Sequence, residues 1–195
     1  MKTFELAGTP RTEFGKKGTK LVRKEGKVPC ILYGGTDVIP FAVEEKDIRN
    51  LIYTPEIFIV ELTINGKKYK SILKDLQFHP VKDNTLHIDF YEVTEDKAIL
   101  IEVPIRLNGL AEGVKAGGKL SQELRKLKVK ALYTDVPEFL SVDVTNLQLG
   151  KTMQVGTLNF PNLEIITNKQ SIVCAIKLTR VARGLAAAAA KDGKK

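Results

Sequence analysis

Apolar and polar residues alternate without a break through ILIEVPIRL, where Ile99, Ile101, Val103, Ile105 and Leu107 take every second position. Period two over this length predicts a strand with one buried face. Shorter apolar runs follow at LKVKALY, FLSVDV, MQVGTL, LEIIT and SIVCAIKL, with Gly, Pro and Asn clusters between them. In this half only SQELRKL reads as helical. The second half is therefore expected to be mostly antiparallel β.

The first half is more varied. Strands are expected at Thr3 to Ala7, Val28 to Tyr33 and Phe41 to Val43. Between Glu45 and Tyr53, Ile48, Leu51 and Ile52 stand at i, i+3 and i+4, which predicts a short helix. IFIVELTI meets Asn65-Gly66 and then KKYKSILKDL. Asn-Gly accepts positive φ at both central turn positions, so these runs form the clearest hairpin in the chain. LHIDFYEV adds a last strand, and TEDKA reads as a polar connector. The expected division is 1–94, then 99–179, then an alanine-rich basic stretch at 180–195. That last stretch has no apolar face to bury and is expected to be a flexible tail. The fold class is mainly β with few short helices.

Charge changes this picture at the ends. The net charge is +8. Met1 to Cys30 holds eight Lys/Arg against three Asp/Glu, and Lys177 to Lys195 holds six against one. The middle carries seventeen against nineteen, so two basic ends flank a near-neutral body. Such asymmetry points to a polyanionic partner. Cys30 and Cys174 lie far apart among apolar neighbours, which fits a reducing compartment. No run of about 18 apolar residues spans a membrane, and MKTFELAGTP lacks an apolar signal core. The expected location is the cytoplasm.

Three chemistries deserve weighing. His87 and Asp89 lie two apart on an expected strand and so share a face, as a general base and its orienting carboxylate would. No Ser or Cys in a recognisable elbow completes that set, which leaves a hydrolase as a remote alternative. His79, His87 and the two cysteines lack zinc-finger spacing, so no metal or other cofactor is expected. GVKAGGKLS nearly matches a phosphate loop, but Leu120 stands where the metal-binding hydroxyl belongs. The surrounding strands also lack the alternating helices that such a loop needs.

The basic arm FGKKGTKLVRKEGK suits a different task. Lys and Arg neutralise phosphates and release counterions. Gly15 and Gly18 permit close backbone approach, and Thr19 has a hydroxyl for phosphate or ribose. Tyr33 offers a ring to stack and a hydroxyl to donate. Gln77, His87 and Asp89 can bond to base edges. A carboxylate beside phosphates is repelled, so Asp89 is informative if it accepts a base N–H; its ordinary alternative is a salt bridge to a nearby Lys or Arg. The arm's own charges repel and it has little to bury, so it is expected to be mobile until RNA orders it.

Three blocks in order, GKKGTKLVRKEGKVPCILYGG, LKDLQFHPV and LHIDFYEV, resemble the bacterial large-subunit ribosomal protein family numbered twenty-five, which binds 5S ribosomal RNA. VPIRLNGLAEGVKAGGKL with VPEFLSVDVTNLQLGKTMQV resembles the extra β domain of that family's longer form, the general stress protein Ctc type. The resemblance implies a β-barrel-like first domain that docks on the loop E region of 5S rRNA. Carried over by position, it implies RNA contacts from Arg11, Lys16, Thr19, Lys20 and Arg23 on the arm. It extends to Tyr33 and to Gln77, His79, His87 and Asp89 on later strands. Two positions depart from the pattern. Lys17 stands where a small residue is usual, and Leu21 where a second adjacent basic residue is usual. Lys17 is kept among the candidate contacts, and His79 is equally suited to capping a turn before Pro80. The implied partner is 5S rRNA in the large subunit, with neighbouring ribosomal components for the second domain. A stress-related or assembly interaction protein is the rival class.

Overall fold

The computed structural model describes residues 1–94 and 97–180. Most of the expected tail, from residue 181 onward, and Glu95 and Asp96 of the connector lie outside the described residues. The chain divides into two compact units. One comprises Met1–Ile101 with Leu132–Glu138, and the other Glu102–Ala131 with the chain from Phe139.

The first unit is built on a closed barrel of six strands: β1 (Lys2–Pro10), β2 (Lys27–Tyr33), β3 (Ile39–Glu44), β4 (Phe58–Ile64), β5 (Lys67–Phe78) and β6 (Thr85–Glu92), ordered β1-β3-β2-β6-β5-β4. Closure leaves no unpaired edge. β1 makes it possible by pairing parallel to β4 along Lys2 to Gly8 and antiparallel to β3 at Thr9 and Pro10. The β4–β5 hairpin turns at Asn65 (φ 50°) and Gly66 (φ 76°), the conformation their sequence requires. Inward residues alternate as expected: Cys30 and Leu32 on β2, Phe41 and Val43 on β3, Val60 and Leu62 on β4, Ile88 and Phe90 on β6. α2 (Glu45–Tyr53) adds Ile48 and Leu51 to the same core.

The arm departs from the expectation of a mobile segment: it forms a helix, α1 (Gly15–Lys24). Charge repulsion argued for disorder, but side-chain ties offset it. Arg23 donates from Nε (3.1 Å) and Nη2 (2.8 Å) to the Leu86 carbonyl of β6. Arg11 Nη2 donates to Glu13 O at 3.2 Å at the other end. Gly18 is buried, and Gly26 (φ 76°) ends the helix in the left-handed conformation that glycine favours.

β7 (Ile99–Asn108), which enters the second unit at Glu102, forms one sheet with β9 (Lys126–Ala131), β10 (Leu140–Asp143) and β12 (Glu164–Ile165), ordered β10-β7-β9-β12. β8 (Lys119–Gln122), β11 (Thr152–Gln154) and β13 (Ile172–Lys177) form another. Pairing is antiparallel between β9 and β12 and along both joints of the second sheet, and parallel between β7 and β10. SQELRKL is not a helix. Ser121 and Gln122 close β8, and Lys126 and Leu127 open β9. The β8–β13 ladder decides the matter: Ser121 pairs with Ala175, and the Glu123 and Leu124 N–H groups both turn to the Val173 carbonyl. Tertiary pairing overrides the helix propensity of Glu, Leu, Arg and Lys. Helical turns in this unit lie instead at α3 (Glu112–Lys115) and, as a 3-10 turn, at Val155–Thr157. The glycines of GVKAGGKLS serve packing, since a Cβ on Gly113 would lie 2.5 Å from Leu149 N and one on Gly118 2.5 Å from Ile176 Cγ2.

Candidate nucleic-acid interface

Strand register assembles the barrel's share of the site. Inward Ile88 and Phe90 leave His87, Asp89 and Tyr91 on the outer face of β6. β2 lies parallel beside it, with Ile31 opposite Asp89 and Tyr33 opposite Tyr91. β5 lies antiparallel on the other side, with Gln77 opposite His87 and Asp75 opposite Asp89. Tyr33, Gln77, His87 and Asp89, far apart in sequence, thus meet on one open patch. Asp75 and Tyr91 join them. Tyr91 could have been found by continuing the His87-Asp89 alternation one step. Asp75 could not, because the register shifts between Leu73 and Asp75 and breaks the period of two.

The patch is ordered by its own contacts. His87 Nδ1–H donates to Asp89 Oδ1 at 2.7 Å, with both side chains about 30% exposed. Asp89 therefore has a histidine partner where a Lys or Arg was the ordinary alternative. The bond leaves His87 Nε2 to meet a ligand. The Tyr33 and Tyr91 rings meet edge to face, with centroids 5.7 Å apart. Burial pushes the Tyr33 phenol up from its ordinary value, and the Asp89, Asp75 and Tyr91 side chains add to this. Tyr33 is held as a hydrogen-bond donor. A Cβ on Gly34 (φ 103°) would come within 2.7 Å of the Tyr91 ring, so glycine there lets the chain turn tightly over it.

The arm presents a surface of the opposite sign. At 3.6 residues per turn, Lys16, Lys17, Lys20, Arg23 and Lys24 fall within an arc of about 120°. All five are exposed, while Gly18 is buried and Thr19 and Val22 are half-buried on the other side. Lys24 extends the i, i+4 series of Lys16 and Lys20, a spacing the sequence already contained. α1 packs on β2, next to the patch. Besides Arg23, which is tied to the Leu86 carbonyl, three expected contacts have structural duties. Thr19 Oγ1 donates to Gly15 O at 2.8 Å, inside the helix. Arg11 reaches Thr19 Oγ1 at 3.5 Å, and its Nε is buried without a partner. His79 lies on the β5–β6 turn, where its Nδ1 accepts the Val81 and Lys82 N–H groups at 3.2 Å, so it caps that turn.

The arrangement offers little to catalysis. His87 and Asp89 stand on an open strand face, and the one thiol of the first unit, Cys30, points into the core. Among the described residues no group of three His, Cys, Asp or Glu could hold a metal, and no helix is long and apolar enough to cross a membrane.

Residues 6–90 match the model of the Ribosomal L25p family, and residues 98–180 match that of the ribosomal protein TL5 C-terminal domain. The chain is 60% identical over 188 residues to large ribosomal subunit protein bL25 of Porphyromonas gingivalis, covering 95% of this chain and 98% of that one. It is 56% identical over 196 residues to the bL25 of Bacteroides thetaiotaomicron, covering 98% and 100%. The chain belongs to the bL25 family. Both matched regions together make it a long, two-domain bL25. A bL25 protein is a structural component of the large ribosomal subunit, so the chain is a non-enzymatic ribosomal protein of the cytoplasm. The mainly β fold, with its barrel and second β unit, agrees with that assignment.

Proposed function

We propose that this bL25 protein binds 5S rRNA at its loop E region, with α1 holding phosphates and the barrel patch reading bases. The observation that carries the reading is the meeting of opposite signs. Five cations share one exposed arc of α1, while Asp75 and Asp89 face each other on adjacent strands beside it. A surface built only to attract phosphate would exclude those carboxylates. A surface that also accepts base N–H groups needs them. Lys16, Lys17, Lys20 and Lys24 anchor the backbone. Gln77, His87, Asp89 and the Tyr33 hydroxyl meet base edges. Arg11, Thr19, Arg23 and His79 set the position of the arm and the turn while remaining within reach of RNA. An ordinary A-form helix hides its major-groove edges from side chains, so the target is an irregular element.

Residues 1–94 form the RNA-binding domain in this reading, residues 99–179 the second domain and 180–195 a tail. The second domain faces neighbouring ribosomal components. The test compares two RNAs of equal length: intact 5S rRNA, and 5S rRNA whose loop E is replaced by Watson–Crick pairs. The full chain is expected to bind the intact RNA at least tenfold more tightly. Equal affinities would overturn the assignment of loop E.

A further inference from the structure

A cleft of about 700 Å3 opens between α2 and the β5–β6 turn. That is the size of pockets that take small organic molecules, about 300–1,000 Å3. Its chemistry is specific. Lys46, Arg49 and Tyr53 line one wall at i, i+3 and i+7 of α2, while the opposite face of the helix buries Ile48 and Leu51 in the barrel core. Lys82 and Asn84 line the other wall from the turn that His79 caps. The Tyr53 ring is 64% exposed and has no ring partner among the described residues. Lys46, Arg49 and Lys82 join no ion pair there either.

We propose that this cleft is a second RNA contact, a pocket for one unstacked nucleotide of the bound strand. Its occupant must bring an anion for three cations and a flat face for Tyr53. A nucleotide brings both: phosphate and base. Glu45 and Asp83 also stand at the cleft and reduce its net charge to +1, since three cations face two carboxylates. The site is therefore poor as a trap for inorganic phosphate, whereas base N–H groups suit those acids. Its placement fits as well. Gly26 in the cleft lies two residues past Lys24, the last residue of α1, and the Glu45 N–H donates to Gly26 O at 3.2 Å. Thr85, also in the cleft, opens β6 two residues before His87. A strand held by Lys20 and Lys24 runs toward this opening.

The inference rests on the 5S rRNA reading for the identity of the strand. The test uses the full chain, intact 5S rRNA, filter binding and base-specific chemical probing. The variant is Arg49→Ala with Tyr53→Ala, both exposed, so the barrel core is untouched; its circular dichroism should match the parent. Expected are an affinity loss of about tenfold, the magnitude of one lost stacking contact, and a changed reactivity at a single nucleotide. Protection elsewhere in the RNA should persist, and Tyr53→Phe alone should behave as the parent. Identical affinity and probing pattern in parent and double variant would overturn the pocket while leaving the arm and patch intact, and would hand the cleft to another occupant such as an acidic protein segment. A parent chain that forms no complex with 5S rRNA would overturn both readings.

Discussion

Asp89 shows how much one side chain can carry. It accepts from His87 at 2.7 Å, stands opposite Asp75, and helps keep the Tyr33 phenol protonated. Its contribution to folding is small, within about 1 kcal/mol for an ion pair this exposed. Asp89→Asn should therefore leave the melting temperature nearly unchanged. It should narrow the affinity gap between intact and base-altered 5S rRNA, with the salt dependence of binding preserved because no phosphate contact is lost. A large change in salt dependence would show that Asp89 acts through the backbone instead. Cys30 makes a separate prediction. Burial raises its thiol pKa above the ordinary 9.0, with a smaller upward push from Asp89 and an opposing pull from Arg11. A raised folded-state value means that the folded chain keeps its proton where the unfolded chain has lost it. The related stability is fully present below pH 9 and is lost as pH rises past it. Urea midpoints should fall between pH 9 and 11, and Cys30→Ser should flatten that fall. At neutral pH the native chain should resist alkylation at Cys30.

Among the elements, α1 breaks a local rule. Its first turn has no acidic residue and carries Lys16 and Lys17, although the positive end of a helix dipole disfavours cations. Arg23 and Lys24 sit correctly at the other end. Natural chains break such rules where function demands it. Lys17→Glu should accordingly stabilise the fold by roughly 0.5 kcal/mol while weakening RNA affinity. A variant that loses both, or neither, would contradict the anchoring role of the first turn. The other elements differ in how plainly the sequence announced them. The 45–53 helix and the Asn65-Gly66 hairpin were legible because period and turn chemistry agree at short range. The ILIEVPIRL strand was legible for the same reason. The form of the arm was not, because its helix is held by Arg23 reaching 63 residues ahead to Leu86. SQELRKL was misread for a matching reason, since its pairing partner, β13, lies some fifty residues later.

Across the whole molecule, the barrel fixes the site by burying what lies beneath it. Phe90 is fully buried against Phe41, directly between outward Asp89 and Tyr91. Phe90→Ala should cost about 3–5 kcal/mol, and calorimetry should find the first unit melting well below its parent. The patch residues were legible one by one, as polar positions on alternating strands. Their convergence depends on the order β2-β6-β5, which no local pattern encodes. The cleft beside α2 gave no sequence signal, because its walls come from a helix and a turn about thirty residues apart. The most direct test of phosphate anchoring is the salt dependence of 5S rRNA binding by the full chain and by a variant with Lys16, Lys20 and Lys24 all changed to Ala. Four exposed lysines at about −0.9 each, the duplex value, give a log–log slope of roughly −3 to −4 for the parent and about −1 for the variant. Equal slopes and equal affinities for the two chains would contradict the proposal that α1 holds the RNA.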